Sequence, residues 1–167
     1  MSFVCSSCGQ THDDLPLDWV FKAPFYWRPE MDMNGEKTFL NPDLCRIDND
    51  YFIRAVLKIP ILNTDQAFVW GVWVSLSEAN FKRYLKLLGT KQEPLEHPYF
   101  GWLSSSIPVY PETLNIKTNV HFQGRGKRPV IELDHTSEHL LCREQHDGVT
   151  MDRVHELIDL MRKQSTE

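Results

Sequence analysis

The amino-acid sequence predicts an α+β fold: a mainly antiparallel sheet of about five strands with about three helices, preceded by an irregular zinc-tethered amino-terminal segment. Three observations carry this. Between Tyr51 and Leu133, apolar and polar residues alternate over several short runs, which is the two-residue period of a half-buried strand. Helical spacing occurs once within that region and then at the carboxyl end, so strands come first and helices mostly last, unlike alternating βαβ units. Pro16, Pro24, Pro29 and Pro42 all fall in the first 48 residues. Each fixes φ and removes a backbone donor, so long regular elements are not expected there. Residues 1–167 are read as one domain, with 1–48 as an irregular, zinc-knuckle-like segment packed on an α+β body of 49–167.

The irregular segment needs an anchor other than secondary structure. Trp19, Phe21, Phe25, Tyr26 and Trp27 can supply part of it by packing on the body. The first strand of the body is Ile53 to Ile59, apolar at every odd position, with Arg54 and Lys58 on the other face; Pro60 marks its end or an edge. The second carries Phe68, Trp70, Val72, Val74 and Leu76 on one face. Gly71 on the opposite face marks a bulge or a close approach; core packing is the default reading for Trp70, Trp73 and Trp102, with a surface groove as the alternative for Trp73. Ser77 then caps a helix with Phe81, Tyr84, Leu85 and Leu88 on one side, ended by Gly89. Tyr99 to Leu103 is a short third strand. The fourth alternates Leu114, Ile116, Val120 and Phe122 with Asn115, Lys117, Asn119 and His121, and Val130 to Leu133 is a fifth. A shorter helix is expected from Ser137 to His146, stopping near Gly148. Thr150 caps the last, which repeats Val154, Leu157, Ile158 and Met161.

At 167 residues the chain is long enough to bury about 70% of its extended surface on folding. Eighteen Lys and Arg against 23 Asp and Glu give a net charge of −5, which weighs against nucleic acid and anionic membranes as partners. The amino terminus lacks a basic start with a long apolar run. The most apolar stretch, Phe68 to Leu76, is about half the ~20 residues needed to span a bilayer. A cytoplasmic location is therefore expected, where thiols stay reduced and paired cysteines favour metal over disulfide.

Cys5-Ser6-Ser7-Cys8-Gly9 is the strongest chemical signal. Two thiolates at this spacing can point inward from a tight turn, and a tetrahedral zinc ion needs two further ligands. His12 is the nearest candidate, and Cys45 lies across the proline-rich segment, so ligation there would close that stretch into a loop. His139 and Cys142, an H-x-x-C pair, are the rivals, with His146 one turn further on. A structural zinc is expected rather than a catalytic one, because neither an open coordination position nor a general base is evident.

Other motifs have plainer readings. His135 to His139 matches H-x-x-E-H, yet Thr136 and Ser137 look like a helix start, which leaves His135 outside it. Gly124 to Arg128 lacks the strand–loop–helix setting of a phosphate loop and reads as a solvated hairpin turn. Ser104 to Ser106 has no histidine at a recognisable spacing, and His121 falls on a wet strand face.

Several stretches together resemble a bacterial family known only as domain of unknown function 2199. They are Phe3 to Gly9 with His12, Asp43 to Asp48, Phe52 to Arg54, Trp70 to Phe81, Tyr99 to Leu103, Tyr110 to Leu114, Arg128 to Leu133, and His139-Leu140 with Glu144-Gln145. The resemblance implies ligands at Cys5, Cys8, His12 and Cys45, implies none at Cys142, keeps His139 within the pattern, and implies no activity. The expected function is a non-enzymatic zinc-stabilised protein that binds an unknown protein partner. The alternative is a hydrolase using His139, with Glu138 or Glu144 as base.

Overall fold

The fold is described from a computed structural model, which covers residues 16–165 in full and the backbone alone at 3–4 and 11–12. Two short strands, β1 (Phe3–Val4) and β2 (Thr11–His12), pair antiparallel with Phe3 opposite His12. The remaining eight strands form one sheet. They are β3 (Asp18–Val20), β4 (Thr38–Leu40), β5 (Leu44–Ile47), β6 (Asp50–Pro60), β7 (Ala67–Leu76), β8 (Tyr99–Leu103), β9 (Lys117–His121) and β10 (Val130–Leu133). Three helices complete the fold: α1 (Glu78–Leu87), α2 (Leu140–Asp147) and α3 (Met151–Ser165).

The order across the sheet is β3-β7-β8-β9-β10-β6-β5-β4, and β6 also pairs with β7 along its length, from Tyr51 opposite Leu76 to Pro60 opposite Ala67. Strands β6 to β10 therefore close into a five-stranded barrel. A meander with an odd number of strands brings its first and last strands together running the same way. That is why β10 meets β6 in parallel, at Val130 opposite Val56. The α+β class, the three helices and the five strands of the body follow the sequence expectation. The sheet is larger than expected because the proline-rich segment contributes β3, β4 and β5. At three or four residues each, these strands are too short to show a period between prolines.

Alternation sorts the barrel strands by face. Ile53, Ala55, Leu57 and Ile59 face Phe68, Trp70, Val72 and Val74 in the core, with Tyr99, Leu103, Val120, Ile131 and Leu133 completing it. Val154, Leu157, Ile158 and Met161 of α3 join the same core. Gly101 sits on the inner side of β8, where a Cβ would stand 2.8 Å from the Ser75 carbonyl oxygen, so only glycine admits this close strand crossing. Gly71 does the same outside the barrel: its missing Cβ makes room for Val20 of β3 at 3.0 Å.

A second apolar cluster forms on the outer face, where Cys45, Phe52 and Trp73 are covered by Phe21, Trp27, Leu40 and Ile47. The aromatic anchoring expected for the irregular segment is thus present. Trp70 and Trp73 are fully buried as expected of core residues, Trp73 lying beneath that segment with its indole Nε1 donating to the Phe21 carbonyl at 2.9 Å. Trp102 departs from that expectation and stays 40% exposed, because nothing among the described residues covers the outer face of β8 there. Helix caps fall where the sequence places them, at Ser77, which accepts from the Asn80 amide, and at Thr150, which accepts from the Arg153 amide. The shorter helix begins at Leu140 instead of Ser137, because His139 takes the capping position. The fourth strand starts at Lys117, since Asn115 turns the chain with φ +67°.

Candidate functional site

Cys5 and Cys8 fall in the connection between β1 and β2 and lie outside the described residues, as does the side chain of His12. The β1–β2 pairing brackets both cysteines and sets the backbone of His12 opposite Phe3. Cys45 stands on β5 opposite Phe52, fully buried, and burial pushes its thiol up to about 12. At neutral pH that thiol keeps its proton, so without a cation beside it the sulfur is an inert part of the outer cluster. Cys142 is buried in α2. Among the described residues, no group of three His, Cys, Asp or Glu side chains could hold a metal ion.

His139 is committed to structure at both ring nitrogens. Nδ1 accepts the Leu141 amide at 3.0 Å, capping α2. Nδ1 therefore carries no proton, so Nε2 is the protonated nitrogen and donates to the carbonyls of Pro111 and Glu112 at 3.1 and 3.0 Å. A general base needs a free lone pair directed at substrate, and neither nitrogen offers one. His135 and His139 both lie outside the helix, so H-x-x-E-H does not place them on one helical face.

Glu144 is also occupied. It is buried on α2, receives the Tyr110 hydroxyl on Oε2 and accepts from Arg153 Nε on Oε1 at 2.7 Å. Arg153 in turn lies over the Tyr110 ring and pairs with Glu156 at 3.0 Å. Burial, reinforced by the adjacent carboxylate, raises the Tyr110 phenol well above the usual tyrosine range.

Gln145 performs a role that residue type alone does not announce. Beyond Val130, β10 parts from β6 and leaves its edge unpaired. The Gln145 side chain fills the gap: Oε1 accepts the Leu133 amide at 2.7 Å and Nε2 donates to the Ile131 carbonyl at 2.9 Å. One primary amide thus stands in for a neighbouring strand. Gln145→Ala would leave a buried donor and acceptor unsatisfied, and the expected loss of stability is about 2–4 kcal/mol. A lowered urea midpoint with an unchanged slope would register it.

The polar motifs read as plain are plain here too. Ser105 Oγ accepts the Trp73 amide at 3.0 Å, and Gly124 to Lys127 closes a turn by the Lys127 amide donating to the Gly124 carbonyl at 3.0 Å. His121 and His135 flank Glu132, with His135 Nδ1 at 3.0 Å and His121 Nε2 at 3.5 Å from its two oxygens.

What remains uncommitted is a row of exposed aromatic side chains. Phe25 and Tyr26 meet edge to face at 5.6 Å, and Tyr26 stacks on Phe52 at 5.9 Å. Phe52 stands opposite Ser75, Ser75 opposite Trp102, and Trp102 meets Phe100 edge to face at 4.9 Å. Phe25, Tyr26, Trp102 and Phe100 keep 47, 37, 40 and 48% of their surface exposed. Phe100 and Trp102 stand on β8 and Phe25 and Tyr26 in a turn; large aromatics grouped in water are a feature of binding surfaces.

The model of a family described as an uncharacterised protein conserved in bacteria, domain of unknown function 2199, matches residues 4–149. The chain belongs to this family. No curated protein and no solved structure gives a match. The family's span takes in both the cysteine pair and the barrel and ends at Val149, leaving α3 outside it. Within that span, the resembling residues His139, Glu144 and Gln145 fasten α2, while Phe100 and Trp102 face outward. The exposed pair was hard to single out from sequence, because Tyr99, Phe100, Trp102 and Leu103 make both faces of that strand apolar.

Proposed function

We propose that this member of the domain of unknown function 2199 family is a non-enzymatic, cytoplasmic protein-interaction module. Its amino-terminal segment is tethered by a structural zinc ion on Cys5, Cys8, His12 and Cys45. The observation that carries the interaction reading is the aromatic row, which runs from a turn of the irregular segment at Phe25 and Tyr26, across Phe52 and Ser75, to Trp102 and Phe100 on β8. Aromatic residues dominate the energetics of protein interfaces because they bury much area at little entropic cost.

The tether is supported by the β1–β2 pairing, which brackets two thiols and carries His12 on the adjacent strand. Zinc, when bound, supplies the cation that allows thiols to ligate as thiolates. The hydrolase alternative loses support, since the ring nitrogens of His139 and the carboxylate of Glu144 are already engaged within the fold.

The interaction reading is tested by comparing the wild-type chain with a Phe100→Ser/Trp102→Ser variant as bait in lysate of the source bacterium, with cross-links mapped by mass spectrometry. The expected result is one stoichiometric partner cross-linked beside the row, lost with the double variant and kept by Leu62→Ser on the β6–β7 turn. Equal retention by all three baits would remove the aromatic row from the interaction.

A further inference from the structure

We infer that the depression along this row is a socket for the guanidinium of an arginine on the partner protein, an assignment that rests on the interaction reading above. The depression has a volume of about 250 Å³ and is walled by Tyr26, Asp50, Phe52, Ser75, Ser104 and Asn115. Sites for drug-sized ligands run to roughly 300–1,000 Å³, so this one suits a single inserted side chain.

Its charge is one-sided. Asp50 is the only carboxylate among the described residues of the wall, and no lysine, arginine or histidine among them lines it. Among the described residues Asp50 takes part in no ion pair or hydrogen bond through its side chain. The two cations nearest in sequence, Arg46 and Arg54, are turned elsewhere. Arg46 Nε donates to the Asp48 carbonyl at 2.7 Å with its guanidinium over the Tyr51 ring, and Arg54 donates to the Pro42 carbonyl at 3.1 Å with its guanidinium over the Trp73 ring. The net charge of −5 adds a longer-range preference for a basic partner.

The other walls match a guanidinium better than an ammonium. Tyr26 stacks on Phe52 yet stays exposed over part of its surface, and a planar cation can stack on the part of the ring left open. Asp50 can take a two-pronged hydrogen bond from the same group. The hydroxyl of Ser75 and the side-chain oxygen of Asn115 are free of hydrogen bonds within the described residues and can accept from the remaining N–H groups. Lysine offers one compact charge and no plane, so it cannot meet the ring and the oxygens together. An anion would meet the Asp50 carboxylate.

The test is a ¹H–¹⁵N NMR titration of the full chain with the blocked peptide Gly-Arg-Gly, set against the same peptide carrying lysine or the neutral isostere citrulline. The expected result is saturable shifts at Asp50, Ser75, Ser104 and Asn115 with the arginine peptide. Binding should be at least fivefold weaker with lysine or citrulline, and lost in Asp50→Asn. Tyr26→Leu, which leaves the carboxylate in place, should weaken it severalfold. Equal binding of the citrulline or lysine peptide, shifts scattered elsewhere, no shift at all, or an unaffected Asp50→Asn would each overturn the socket. Partner capture that survives such a failure would leave the interaction reading standing without it.

Discussion

Glu144→Ala is expected to destabilise the folded protein by about 2–4 kcal/mol, because the buried Tyr110 hydroxyl and Arg153 Nε lose their shared acceptor, while Arg153 keeps its pair with Glu156. Glu144 is 9% exposed, and its two oxygens satisfy Arg153 from α3 and the Tyr110 hydroxyl from the loop after β8. Removing it takes that acceptor from the Tyr110 hydroxyl and Arg153 Nε and releases a carboxylate that ties α2 to α3 and to that loop. Glu144→Gln keeps an acceptor and should lose less; urea denaturation followed by circular dichroism would rank the two. The same site has an alkaline signature. Tyr110 is raised in the folded state by burial and by Glu144, so above about pH 10 the unfolded chain releases a phenolic proton that the folded chain retains. Stability is therefore full below that pH and falls as pH rises through it. Tyr84 and Tyr99 are shifted upward as well, so Tyr110→Phe should make the alkaline slope shallower without abolishing it. An unchanged slope would separate Tyr110 from the effect.

The parts of the fold that were legible in the sequence are those governed by a period. Ile53 to Ile59 and Phe68 to Leu76 alternate cleanly because one face fills the barrel and the other is solvated or covered by a different layer. α3 shows its apolar stripe and cap for the same reason; of the stripe expected on α1, Phe81 and Tyr84 are buried, whereas Leu85 and Leu88 stay exposed. Barrel closure was not legible, because it depends on β6 pairing on both sides, and nothing in the alternation of Ile53 to Ile59 states how many neighbours a strand has. What covers Trp73 was hidden similarly: its partners Phe21 and Trp27 are far away in sequence and belong to no periodic element. Gln145 illustrates a third kind of blindness. Its position in α2 gives a polar residue on a half-buried helix, and only the splaying of β10 from β6 turns its amide into a strand substitute. For the cysteines the sequence was more informative than the described coordinates, since Cys5 and Cys8 carry a spacing signal yet lie outside them.

Cys5→Ser is expected to abolish zinc binding, taking metal content from about one ion per chain to near none, because a tetrahedral thiolate-rich site loses far more than a quarter of its affinity with one ligand. The consequence for the fold should be unequal. The barrel core of β6 to β10 contains none of the proposed ligands, so its cooperative unfolding should persist. Residues 1–48 should become accessible to protease, since β3, β4 and β5 supply few backbone hydrogen bonds of their own. Cys45→Ser separates the two roles of that residue. As a ligand, its loss should release zinc as fully as Cys5→Ser does; as core sulfur alone, it should lower stability by burying a hydroxyl beside Phe52 and Trp73 while zinc remains bound. His135→Ala, a change at the exposed pair with Glu132, accounts for surface imidazole binding and should leave the metal content unaltered. Elemental analysis of protein purified without chelator, with limited proteolysis of the same samples, reads all three variants. A zinc content near one in Cys5→Ser, or near none in the wild type, would remove the tether. The folding of residues 16–48 would then rest on Trp19, Phe21, Trp27 and the short strands alone.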